Sequence, residues 1–232
     1  MARQKGIIKL KGKVGDLSFY KTQDGHLARE KGGVEKSRIE KDPAFARTRE
    51  NGAEFGSAAS SGKLMRDALR TIAINASDNR VTSRLTKLMT DIKNEDTENI
   101  RGKRSVGDAL VNVTAKALLK GFNFNNRAFL GSVLFKPYAV NIATGEIIIN
   151  GLTPINDIAY PSGATHFSVK GAWAKIDFVN RVHKIELSDA FNAPIDATLN
   201  DVVLTPAAVL EIPNKVTPVF RRKLTPHFDL LF

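Results

Sequence analysis

Hydrophobic and lysine residues alternate strictly near the start of the chain. Ile8, Leu10 and Val14 fall on one face of an extended segment. The other face carries Lys9, Lys11 and Lys13. A second apolar run at residues 17–20 leads to Asp24-Gly25, a dipeptide typical of tight hairpin turns. The pattern predicts a β-ribbon or small meander over residues 6–30, with a strand over residues 8–14 that has a lysine edge.

Helical signals begin at Asp42-Pro43. Asp is a favoured N-cap and Pro suits the first helical position, so a helix is expected to begin at Pro43. The polar segment 29–42 before it is expected to be a linker or exposed loop. The small residues of segment 56–62 indicate a break, a kink or a close helix contact.

Two further windows have the helical period of 3.6 residues and a basic stripe. The apolar faces consist of Leu64, Met65, Ala68, Leu69 and Ile72 in the first window, and of Val81, Leu85, Leu88, Met89 and Ile92 in the second. The basic stripes consist of Lys63, Arg66 and Arg70, and of Arg80, Arg84 and Lys87. The acidic and amide-rich segment 91–99 is interpreted as a solvated patch, and residues 106–119 as another helical window.

Beyond residues 121–131 the period shifts towards two. The pattern predicts a hairpin over residues 138–149 around Thr144-Gly145, and a turn or bulge near Ala174. Further strands are expected at residues 166–169 with Trp173, and at 175–179, 183–187, 202–204 and 209–212. The fold class is therefore α+β, with an N-terminal β-ribbon, a helical region and a C-terminal antiparallel β-sandwich, Ig-like or similar. The expected segments are 1–40, 41–125 and 126–232.

Alternating apolar residues also occur at the end of the sequence, at Phe228, Leu230 and Phe232. They are interpreted as an ordered last strand, or as an apolar tail that contacts a neighbouring subunit.

The positive charge of the chain is unevenly distributed. The formal net charge is +11, but residues 1–120 hold 25 Lys and Arg against 15 Asp and Glu, while residues 121–232 hold 10 against 9. This asymmetry favours a polyanionic partner such as nucleic acid, with mere solubility as the alternative. Phosphate contacts are expected from the lysine edge, from both helical stripes and from the cluster Arg101, Lys103 and Arg104. Phe19 or Tyr20 could stack on an unpaired base, but packing of Phe19 beneath the ribbon is favoured.

The sequence lacks the motifs of most catalytic chemistry. It has no cysteine, which excludes disulfides, thiolate metal sites and cysteine nucleophiles. His26, His166, His183 and His227 are at least 17 residues apart, and neither a G-x-S-x-G motif nor a phosphate-binding loop is present. We therefore predict no catalytic, metal or cofactor site and no small-molecule substrate.

The N-terminal segment and the apolar runs of the sequence indicate where in the cell the protein is located. The basic N-terminal segment is interrupted by lysines, so it does not match a secretory signal, and no apolar run is long enough for a membrane helix. The expectation is a cytoplasmic protein without membrane insertion, or a component of a particle assembled in the cytoplasm.

The opening MARQKGIIKLKGKVGDLSFYKTQDGHLAREKGG, followed by DPAFARTRENGAEFG, resembles a group of proteins found in Bacteroidota genomes. The likeness is greatest over the first 60 or so residues, notably in GKVGDLSFYKTQDG and AREKGG. The resemblance implies a bacterial or bacteriophage source, and it carries no activity or site residues.

Together these features favour a non-enzymatic structural or assembly protein. It would be a self-associating subunit of a particle or filament, such as a virion or mobile-element component, whose basic half faces nucleic acid or a neighbouring subunit. The alternative is a sequence-nonspecific nucleic-acid-binding protein of bacterial or phage origin. A hydrolase or lyase for an anionic substrate is the third interpretation.

Overall fold

The structure of the chain is a computed structural model that describes residues 2–30, 32–74 and 78–208, together with the backbone of residues 228–231. It combines helices with small antiparallel sheets, so the α+β class is confirmed. The chain divides into two compact units, Met1–Arg49 and Glu50–Phe232. These bounds differ from the three segments expected from the sequence.

The N-terminal unit contains a four-stranded antiparallel sheet. Its strands are β1 (Ala2–Arg3), β2 (Gly12–Val14), β3 (Leu17–Thr22) and β4 (Gly25–Glu30), in the spatial order β1-β4-β3-β2. Thr22 pairs with Gly25 across a two-residue turn. Gly25 has a φ of 110°, which glycine adopts without steric cost. The predicted hairpin is confirmed at this position.

The predicted strand over residues 8–14 is wrong for most of its length, because only Gly12–Val14 pairs as a strand. The side chain of Gln4 instead fixes the preceding segment by hydrogen bonds. Its Oε1 accepts from the Leu10 N–H at 2.8 Å, and its Nε2 donates to the carbonyl oxygens of Leu10 and Leu27 at 3.3 and 3.0 Å. Gly12, with a φ of 109°, interrupts the extended alternation that the sequence suggested.

Two helical segments follow the sheet. The expected linker contains a short helix, α1 (Lys36–Lys41), which is supported by an ion pair between Lys36 and Glu40. The predicted helix start at Pro43 is confirmed as a 3₁₀ turn, Pro43–Phe45, which leads directly into α2 (Ala46–Ala68). The Asp42 carboxylate caps this turn by accepting from the Ala44 N–H at 2.9 Å.

Helix α2 is continuous through segment 56–62, so the break does not occur. The expected close helix contact does, since a β-carbon built at Gly62 would lie 3.6 Å from Leu85. The remaining helices are α3 (Arg70–Ala73), α4 (Val81–Asn94), α5 (Val106–Ala109), α6 (Val113–Ala117), α7 (Leu130–Val133) and α8 (Pro154–Asp157). Within the described residues, no helix is both long and apolar enough to cross a membrane.

The predicted helix faces agree with the observed burial. Met65, Ala68 and Leu69 are buried on the first face, as are Val81, Leu85, Met89 and Ile92 on the second. The predicted window 106–119 consists of two short helices rather than one. Asn112 separates them, because its Oδ1 accepts from the Thr114 N–H at 3.0 Å and caps α6.

The described strands of the second unit form three small antiparallel sheets. They are β5 (Ala139–Val140), β6 (Ile147–Leu152), β7 (His166–Val169), β8 (Ala172–Asp177), β9 (Val182–Leu187), β10 (Phe191–Pro194), β11 (Asn200–Leu204) and β12 (Phe228–Leu231). The spatial orders are β10-β7, β11-β6-β5 and β12-β8-β9. Because the strands are divided among sheets of only two or three, and α8 lies between β6 and β7, an Ig-like sandwich is not confirmed.

Most of the predicted strand positions are confirmed, including the hairpin in which Val140 pairs with Ile147. The turn expected near Ala174 is wrong, since Ala174 lies in the middle of β8. The interruption lies earlier in the chain, since β7 ends at Val169 and β8 begins at Ala172. The predicted strand 209–212 lies outside the described residues.

Helices and strands share the larger core of the second unit. Leu85, Met89 and Ala109 from the helices pack in one buried cluster with Ala174 and Ile176 of β8. A smaller cluster is formed by Ile147, Ile149, Leu152, Val202 and Leu204 of β6 and β11. The helical and strand segments of this unit therefore depend on one another for burial.

Candidate functional site

The N-terminal unit exposes apolar residues of its sheet and of the segment between β1 and β2. Among residues 2–30 and 32–49 none is buried. Several large aliphatic side chains are exposed, at 101% for Ile7, 80% for Ile8 and 64% for Val14, and Leu10 and Leu17 are also exposed. A small sheet generally needs a covered hydrophobic face to be stable. The exposed apolar residues therefore mark a surface suited to a partner.

Strand register separates the apolar and basic parts of this sheet. Val14 pairs with Leu17 at one end of β3, and Lys21 pairs with His26 at the other end. Cross-strand partners share a face, and residues an even number apart on a strand do too. Leu17 and Lys21 therefore lie on the same face of the sheet, one at its apolar end and one at its basic end.

His26 is the centre of the basic end. Its carbonyl oxygen accepts from the Gln4 N–H at 2.9 Å, and the Gln4 carbonyl oxygen accepts from Lys9 Nζ at 2.5 Å. Burial lowers the pKa of the His26 imidazole, and the positive charges of Lys21, Lys11 and Lys9 lower it further. The segment that Gln4 holds thus brings Lys9 and Lys11 of the predicted edge near Lys21 and His26 of the hairpin.

Lys13 belongs to a different face. It pairs with Ser18, which in turn pairs with Arg29, and Ser18 is an odd number of residues from Lys21. The Arg29 guanidinium lies over the Tyr20 ring, 5.6 Å from its centroid. Lys13 of the predicted lysine edge therefore lies on the face of the sheet opposite to Lys21 and His26.

Lys21 and His26 were not predicted as site residues. Their pairing could have been predicted from the hairpin turn, because a two-residue loop that joins Thr22 to Gly25 places Lys21 opposite His26. The convergence of Lys9 and Lys11 on this pair depends on the Gln4 side chain, which no alternation pattern reveals.

The predicted basic residues of the second unit are displayed to different degrees. Six are exposed, namely Lys63, Arg70, Arg80, Lys87, Arg101 and Lys103, and Arg66 is half-buried. Arg84 contributes to folding instead. Its guanidinium contacts Asp78 at 2.8 Å and donates to the carbonyl oxygens of Asn123 and Phe124 at 2.6 and 3.1 Å.

Arg104 likewise binds within the chain, as part of a buried charge cluster around Glu54. The Glu54 carboxylate accepts from the Arg104 Nε and Nη2 atoms at 2.8 and 2.7 Å, from the Gly102 N–H at 2.7 Å and from Lys93 Nζ at 2.5 Å. The hydrogen bond from Arg104 is the largest cause of a strongly lowered pKa at Glu54. This cluster attaches segment 101–104 to helix α2, and neighbouring Arg101 adds a hydrogen bond to Asn51 at 2.9 Å.

The acidic segment 91–99 is not entirely solvated, which corrects its interpretation as a solvated patch. Asp96 is 5% exposed and accepts hydrogen bonds from the backbone N–H groups of Glu98, Asn99 and Ser105, at 3.1, 3.1 and 2.9 Å. Burial alone would raise the pKa of Asp96, but a hydrogen bond from the Asn99 side-chain amide at 2.8 Å, together with these backbone hydrogen bonds, outweighs it and holds the pKa below its ordinary value. The segment completes α4 and continues as a turn built around the Asp96 carboxylate.

Potential metal ligands are not clustered in the described part of the chain. No cluster of three or more potential metal ligands is found there. His166 and His183 lie in different sheets, and His227 falls outside the described residues. An open groove beside α2 and α4 is lined by Phe55, Ser83, Thr86, Lys87, Thr90 and Asp91, a set that joins no histidine to its carboxylate.

The predicted subunit contact at the end of the sequence concerns β12. The backbone of Phe228 and Leu230 pairs with Ile176 and Ala174 of β8 in the same chain, which agrees with the ordered-strand alternative. Phe232 lies outside the described residues. Contact of this segment with a neighbouring subunit stays a prediction.

Comparisons with protein-family models, curated proteins and solved structures found no match to this chain.

Proposed function

We propose that this chain is a non-enzymatic assembly subunit that associates with further copies of itself through its N-terminal sheet, in a particle or filament of bacterial or phage origin. The observation that carries the proposal is the exposed sheet of residues 2–30, which has a regular hydrogen-bonded structure and no buried residue. Such a sheet gains stability when another surface covers its apolar residues.

A neighbouring copy offers suitable contacts. Strand β2 lies at one edge of the N-terminal sheet, and six-residue β9 lies at an edge of the β12-β8-β9 sheet. Unpaired strand edges can add to a sheet of another chain. Each copy thus supplies both an exposed apolar surface and strand edges with which a second copy can pair.

Light scattering coupled to size-exclusion chromatography tests this proposal over a range of concentrations. The full chain is expected to exceed the monomer mass and to gain mass with concentration. Full burial of one Ile side chain contributes about 1.5–3 kcal/mol, so Ile8→Ser is expected to weaken association roughly tenfold to a hundredfold.

Ile142→Ser is the matched control, because Ile142 is 73% exposed and belongs to the second unit. It should associate like the unaltered chain. A monomer at all concentrations contradicts the proposal, and so does an Ile8→Ser variant that associates normally.

Sequence-nonspecific nucleic-acid binding is the second candidate function. It is supported by the charge of the N-terminal unit, which contains 13 Lys and Arg residues and only six Asp and Glu residues. Phosphate neutralisation by lysines releases counterions, so affinity should fall steeply as salt concentration rises. Titrations of DNA and RNA at several salt concentrations test this candidate, and a lack of affinity at low salt removes it.

A further inference from the structure

The basic end of the N-terminal sheet combines permanent charges with one titratable group. Lys21 lies directly opposite His26 in the hairpin, and the backbone of Gln4 connects His26 with Lys9. Lys9, Lys11 and Lys21 are all exposed. Their charges are therefore available to a ligand that also approaches the imidazole.

The charged groups around His26 come from three parts of the unit. Lys21 belongs to β3, while Lys9 and Lys11 belong to the segment between β1 and β2. The acidic residues of the hairpin are Asp24, in the turn between β3 and β4, and Glu30, at the far end of β4. The three lysines are the charges that act on the imidazole and oppose its protonation.

The imidazole also has an unused polar atom. His26 Nδ1 is buried and has no hydrogen-bond partner among the described residues. An anion bound beside the lysines would offset their repulsion and favour the imidazolium, which carries a proton on both ring nitrogens. Anion binding and proton uptake would then be coupled.

We infer that Lys9, Lys11, Lys21 and His26 form a proton-coupled binding site for the phosphate groups of a nucleic-acid strand, an inference that rests on the nucleic-acid function proposed above as the second candidate. The high density of phosphate charge along a strand suits a cluster of exposed lysines. Since lysines bind phosphate as point charges, the site positions the backbone and does not recognise bases. Binding strengthens as pH falls, because the bound strand raises the proton affinity of His26.

Fluorescence anisotropy of a short labelled oligonucleotide, titrated with the full chain at low salt, tests this site from about pH 5.5 to about pH 8. The unaltered chain is expected to bind about three- to tenfold more tightly at the acidic end, since a rise of one pKa unit on binding corresponds to a factor of ten. His26→Gln should remove this pH dependence. Lys21→Gln should weaken binding over the whole pH range.

His183→Gln is the matched control, because His183 is exposed on β9 in the second unit, and it should retain the full pH dependence. Proton NMR of the His26 imidazole provides an independent measurement, and its pKa should rise when the oligonucleotide is added. All variants are expected to keep the far-UV circular dichroism of the unaltered chain.

The outcomes separate the inference from the proposed functions. Binding that does not vary with pH, or that keeps its pH dependence in His26→Gln, overturns the inference but leaves nucleic-acid binding intact. Complete absence of oligonucleotide binding overturns both. Equal or tighter binding of an acidic peptide of the same charge overturns the assignment to phosphate. Self-association is measured separately and is unaffected by these results.

Discussion

Replacement of Glu54 by glutamine should strongly destabilise the second unit, because Glu54 is the carboxylate of a buried charge cluster. The side chain of Glu54 is 2% exposed, and that of its partner Lys93 is 6% exposed. Glutamine is nearly the same size as glutamate and keeps one carbonyl oxygen as an acceptor. The substitution therefore removes the negative charge while it preserves the packing.

The expected loss of stability comes from the partner of Glu54 that keeps its charge. In the variant, the Lys93 ammonium would remain buried without a counter-charge, and loss of one partner of a buried ion pair costs about 3–5 kcal/mol. The second unit spans residues 50–232, and in a domain of that size each kcal/mol lowers Tm by about 2–4 °C. A decrease in Tm of about 6–20 °C is expected.

Chemical denaturation followed by circular dichroism measures this cost directly. The matched control is Glu50→Gln, one helical turn earlier in α2. Glu50 lies 3.7 Å from Arg101, and its side chain is 30% exposed, so this variant should lose no more than about 1 kcal/mol. The double variant Glu54→Gln/Lys93→Met should be more stable than Glu54→Gln alone, because it also removes the uncompensated charge. Equal stability of Glu54→Gln and Glu50→Gln would refute the reasoning.

Two further predictions concern backbone geometry and acid stability. Gly145→Ala should cost about 2–4 kcal/mol in thermal denaturation, since its φ of 72° disfavours a side chain and the new β-carbon would overlap the Trp173 ring, which would have to move. Gly163→Ala has a similar φ of 84° but open space around it, and it should cost about 1–2 kcal/mol. Because the pKa values of Glu54 and Asp96 are lowered in the folded chain, their stabilisation is present above their unfolded pKa values and is lost as pH falls below about 5. Denaturation at a series of pH values should show this loss, with a shallower slope in Glu54→Gln.

Regular helical periodicity was sufficient to predict the buried face of α4. Its 14 residues include several turns, so Leu85, Met89 and Ile92 define one apolar stripe that must be covered. The hairpin of β3 and β4 was equally accessible, because turn chemistry and strand alternation agree there.

Other parts of the fold depend on contacts that periodicity does not contain. The alternation over residues 8–14 predicts a strand, but the Gln4 side chain and the positive φ of Gly12 give that segment another course. The small sheets of the second unit arise from pairings between distant strands, such as β12 with β8. Strand spacing alone did not distinguish these sheets from a sandwich.

The buried charge cluster around Glu54 likewise depends on contacts that periodicity does not contain. Glu54 lies four residues before Ala58 and 11 before Met65, so it falls on the buried stripe of α2, and that position was its only signal. Lys93 and Arg104 become its partners through the packing of α4 and segment 101–104. The density of charge along the chain therefore placed Arg104 on a predicted phosphate-binding surface, whereas in the structure Arg104 forms an ion pair with Glu54.

Hydrogen–deuterium exchange at a low and a high protein concentration tests most directly whether a neighbouring copy covers the N-terminal sheet. If it does, the amides of β2, β3 and β4 should exchange more slowly at the high concentration, while those of β8 in the shared core should exchange at the same rate in both samples. Identical exchange of β2–β4 at the two concentrations would contradict assembly through this sheet.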